Sequence, residues 1–121
     1  MKVIPLCAFS DNYIWVIHSS SSNAITVIDP GDANPVIDYI ERHDLSLETI
    51  LITHHHNDHI GGVPTLKNRY QCQVFAPKRD NQPFADRDLV EGDEVSVLNK
   101  EYQFSVIEVP GHTMGHIAFY G

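Results

Sequence analysis

Between Thr53 and Gly62 the chain reads T-H-H-H-N-D-H-I-G-G. His54, His55, His56, Asp58 and His59 fall within six positions, and they include half of the chain's eight histidines. Imidazole and carboxylate are the usual protein ligands for zinc and its first-row neighbours. Side chains at i and i+2 of an extended segment point to one side. His54 and His56 can therefore share one metal as the chain leaves a strand. Asp58 and His59 lie further round the turn and can aim at a second. His55 and Asn57 point away from both. A histidine run can also be an expression tag, but tags sit at termini. This run is internal, between an apolar stretch and a Gly-Gly pair.

A second segment carries the same residue types: Pro110-Gly111-His112-Thr113-Met114-Gly115-His116. His112 sits between turn residues, where it would complete a three-histidine set with His54 and His56. It follows His59 by 53 positions (112 − 59 = 53), so only folding can bring the two together. His116 reads as a hydrogen-bonded support for its turn, with Gly111 and Gly115 permitting a tight backbone. Asp29, in Asp29-Pro30-Gly31-Asp32, has two readings. It is a turn former, or, beside a metal, a carboxylate at a strand end that orients a ligand histidine.

These residues need strands that end together. Lys2–Leu6 reads as an edge strand, followed by a turn at Asp11-Asn12. Tyr13–Ile17 and Ala24–Ile28 read as an antiparallel pair joined by the serine run Ser19–Ser22. Asn34-Pro35 is the expected opening of a helix, a capping side chain and then proline at the first helical position. Val36, Ile37, Ile40 and Leu45 make its apolar stripe, and His43 suits its C-terminal end. Leu47–Thr53 is the strand that delivers the histidines. Val63–Tyr70 is a short helix ending in Lys67 and Arg69, and Cys72–Ala76 is another strand. Pro77–Asp88 reads as a surface loop. Val95–Leu98 and Tyr102–Val109 form a hairpin turning at Asn99-Lys100, and Ile117–Tyr120 is a last strand. The result is an α+β fold with a mixed, mostly antiparallel sheet and helices on one face.

Composition narrows the function. The 121 residues are 42% hydrophobic and 20% charged, which fits one globular domain spanning 1–121. Net charge is −8 with no cluster of lysine and arginine, which argues against nucleic acid as a partner. No apolar run reaches the roughly 20 residues of a membrane span. The N-terminus does not read as a secretory signal. Cys7 and Cys72 form no C-x-x-C pair and read as reduced core thiols of a cytoplasmic protein.

Together, T-H-H-H-N-D-H and P-G-H-T-M-G-H resemble the metallo-β-lactamase superfamily, and Asp29-Pro30-Gly31 is similar to its strand-end turn. With Asp11-Asn12-Tyr13-Ile14-Trp15, the motifs look most like the glyoxalase II family, the hydroxyacylglutathione hydrolases. The resemblance runs along the whole chain and implies the N-terminal half of an αβ/βα sandwich. It implies two divalent metal ions, most simply zinc, with iron or manganese also compatible. His54, His56 and His112 would hold the first, and Asp58 and His59 the second. Asp58 would also orient the attacking water, and Asp29 and His116 would support the ligands from behind. A bridging aspartate, a last histidine and the glutathione contacts are expected downstream of Gly121. The implied reaction is hydrolysis of a small-molecule glutathione thioester, S-D-lactoylglutathione, to D-lactate and glutathione. Other readings share the ligands: a lactonase or β-lactamase, a persulfide dioxygenase on a three-ligand iron site, or a metal-binding fragment without turnover. A half-sandwich would leave an apolar sheet face uncovered, through which copies of the chain could associate.

Overall fold

The computed structural model describes residues 2–9, 12–53, 62–78, 85–98, 100–108 and 117–120. A six-stranded sheet runs in chain order from β1 (Lys2–Phe9) through β2 (Asn12–His18), β3 (Ala24–Ile28), β4 (Ser46–Leu51) and β5 (Gln73–Pro77) to β6 (Arg87–Leu89). The first three strands pair antiparallel and β3 to β6 pair parallel. The ends of β3, β4, β5 and β6 therefore share one edge of the sheet. A second sheet is antiparallel, in the order β7 (Glu94–Val97), β8 (Tyr102–Glu108), β9 (Ile117–Tyr120). The expected strand types, the β2–β3 hairpin and the β7–β8 hairpin are all present.

Among the described residues two helices cross between the parallel strands, α1 (Ala33–His43) and α2 (Val63–Tyr70). Both lie on one face. Val36 and Ile40 of α1 and Val63 and Leu66 of α2 are buried with Val16, Val27, Ile50 and Val74 of the sheet. Completely burying an aliphatic side chain of this kind contributes roughly 1.5–3 kcal/mol. Cys72 lies in the same core, its Sγ 3.9 Å from the carbonyl oxygen of Leu66. Glu48 is skipped in the β3–β4 register, which bulges the strand and leaves Leu47 and Ile50 in one core.

Three expectations are corrected. Helix α1 starts at Ala33, not after Asn34. Asp32 is its cap: it is extended and its carboxylate accepts the Asn34 N–H at 3.0 Å. Pro35 falls within the first turn, where the N–H groups have no intrahelical acceptor and proline loses nothing. The segment expected to be loop through Asp88 ends in strand β6, because Arg87-Asp88-Leu89 pairs with Phe75-Ala76-Pro77 and buries Leu89. Finally, the second face of the large sheet is largely covered. Ile17, Ala24, Leu51 and Leu89 pack there with Val95, Val97, Phe104 and Val106 of the small sheet. The layers are therefore helices, sheet and sheet. The outward side of β8 carries Gln103, Ser105 and Ile107. What stays exposed on the inner face is a strip toward the β1 edge, Val3 (42% exposed), Pro5 and Trp15 (43%).

Candidate functional site

Strand β3 ends at Ile28 and the chain turns at once. Asp29 takes a left-handed backbone conformation (φ 55°), which an aspartate tolerates better than most residues. Its N–H donates to the carbonyl of Leu51 at 2.9 Å, holding the turn to the end of β4. Its buried carboxylate reaches across to Thr53, just beyond β4. Oδ1 accepts the Thr53 N–H at 2.7 Å and Oδ2 accepts the Thr53 hydroxyl at 2.5 Å. Thr53 is the residue before His54.

The histidine segment returns at Gly62, the cap of α2. The Gly62 N–H donates to the carbonyl of Pro30 at 2.9 Å. A Cβ on Gly62 would meet Ala33 N at 2.5 Å and Asp32 C and Pro30 O at 2.7 Å, all of them backbone atoms. Glycine is thus required by close approach of two chain segments. Thr53 and Gly62 thus both lie against the same four-residue turn.

The second histidine segment is flanked by β8 and β9. Strand β8 begins at the opposite edge of the molecule. There Ser19 Oγ donates to Glu101 Oε1 at 2.9 Å, the Ser20 N–H donates to Oε2 at 2.7 Å, and Tyr102 donates to the His18 carbonyl at 3.4 Å. Hydrogen bonds from Ser20, joined by Ser19, lower the Glu101 carboxyl to about 2. Starting from that edge, β8 runs to Glu108 along the sheet face. The Gly92 N–H donates to the Val106 carbonyl at 3.0 Å, just after β6 has ended. Glu108 and Ile117 are paired across β8 and β9. The strand ends that flank 109–116 therefore lie toward the edge where β3 and β4 end.

His54, His56, Asp58, His59, His112 and His116 lie outside the described residues, as does His55. Among the described residues no three His, Cys, Asp or Glu side chains gather into a group that could hold a metal. Asp29 is described, and it grips the chain immediately upstream of His54. Sequence reasoning assigned no role to Thr53 and read Gly62 only as part of a turn. The available signals were a hydroxyl at the strand end and the second glycine of Gly61-Gly62.

Residues 9–121 match the model of the metallo-beta-lactamase superfamily. The chain is 49% identical over 120 residues to the hydroxyacylglutathione hydrolase of Chromohalobacter salexigens, covering 99% of this chain and 46% of that protein. It is 51% identical over 121 residues to the hydroxyacylglutathione hydrolase of Pectobacterium carotovorum, covering 99% and 47%. The chain thus spans about half the length of the curated relatives it matches. Among solved structures it is similar to ETHE1 from Myxococcus xanthus, with a TM-score of 0.83 and 28% identity over 98% of this chain and 53% of that one. It is also similar to TTHA1623 in a di-iron-bound form, with a TM-score of 0.78 and 25% identity over 98% and 66%.

Proposed function

The chain belongs to the metallo-beta-lactamase superfamily, and from that premise we propose that it supplies the metal-holding N-terminal half of a glyoxalase II-type thioester hydrolase. The observation that carries this reading is identity of about half the residues with hydroxyacylglutathione hydrolases along 99% of the chain. The substrate would be an S-(2-hydroxyacyl)glutathione, and the products glutathione and a 2-hydroxy acid such as D-lactate. We assign residues 1–121 to one domain and the protein to the cytoplasm.

The donor set fits divalent metal ions. Four histidines and an aspartate lie between two points, Thr53 and Gly62, that the Asp29–Asp32 turn holds close together. Such ions, when bound, acidify water at neutral pH and polarise a thioester carbonyl. His54, His56 and His112 would hold one ion as neutral imidazoles, and Asp58 and His59 the other. Asp58 would accept a hydrogen bond from the attacking water and orient it. Asp29 would fix the start of the loop, and His116 would support the turn around His112. A thiolate leaves readily, so this half need supply no strong general acid. Zinc is the simplest occupant of such a His and Asp set, with iron or manganese also compatible.

The test joins this chain to the C-terminal remainder of the Pectobacterium carotovorum relative and assays hydrolysis of S-D-lactoylglutathione beside metal analysis. Turnover that Asp58→Ala removes, together with loss of one of two metals, is the expected result. Hydrolysis of lactones or β-lactams instead, or oxygen consumption with a single iron, would transfer the chain to another activity. The 121-residue chain alone should turn over thioester far more slowly than the joined protein. Its half-exposed strip of Val3, Pro5 and Trp15 is where a second copy would add cover.

A further inference from the structure

We draw no further inference here: the strongest candidate, the apolar strip of Val3, Pro5 and Trp15 left exposed beside β1 on the inner face of the large sheet, carries nothing, because nothing in the structure shows what covers it.

Discussion

Thr26 places a hydroxyl in the core between the two sheets. It is fully buried and its Oγ1 has no hydrogen-bond partner. Leaving such a group unsatisfied costs roughly 1–3 kcal/mol. Thr26→Val exchanges the hydroxyl for a methyl of nearly the same shape. The expected outcome is a gain of about 1 kcal/mol, read as a higher urea midpoint with unchanged slope. A clear loss would show that the hydroxyl contributes a bond in solution. At this scale histidine and aspartate at close spacing mark a candidate metal site in the sequence, and those residues lie outside the described ones. The Asp29–Thr53 pair was not legible: 24 positions separate the two, and only the pairing of β3 with β4 brings them together.

Among the elements, β4 delivers the histidine segment. Ile50 is fully buried between its neighbours and the helices. Ile50→Ala should cost about 2–5 kcal/mol in unfolding free energy by denaturant melts. A cost under about 1 kcal/mol would mean that the helix layer collapses onto the gap. The β2–β3 and β7–β8 turns are tied by Glu101, whose carboxyl lies at about 2 rather than at its usual 4.5. A depressed carboxyl contributes stability above its unfolded value and loses it as pH falls toward the folded one. Wild type should therefore exceed Glu101→Gln in thermal midpoint at neutral pH, and the gap should shrink from about pH 4.5 to about pH 2. Glu101 is exposed enough for salt to narrow the gap as well. A gap independent of pH would assign the tie to something other than charge. Long alternating strands were readable from their apolar residues. Strand β6 was not, since of Arg87, Asp88 and Leu89 only the last is buried. The α1 cap was misplaced because Asp32 and Asn34 are both good caps and Pro35 favoured the later one.

For the whole molecule, the half-exposed Val3 and Trp15 mark where the inner face of the large sheet continues past the small one. The isolated chain should elute larger than a monomer at high concentration, and Val3→Lys with Trp15→Lys should return it to monomer size. Monomeric wild type under the same conditions would show that the strip is too small to hold a second copy. How the hairpin of β7 and β8 lies over the large sheet was not legible, because alternation reveals a buried face but not what covers it. The helix-covered core has one more consequence, through Cys72. Burial pushes its thiol up to about 11, so at neutral pH it is uncharged as well as enclosed. A thiol reagent can reach it only when α2 lifts from the sheet. In a Cys7→Ser background, the labelling rate of Cys72 becomes a clock for that opening.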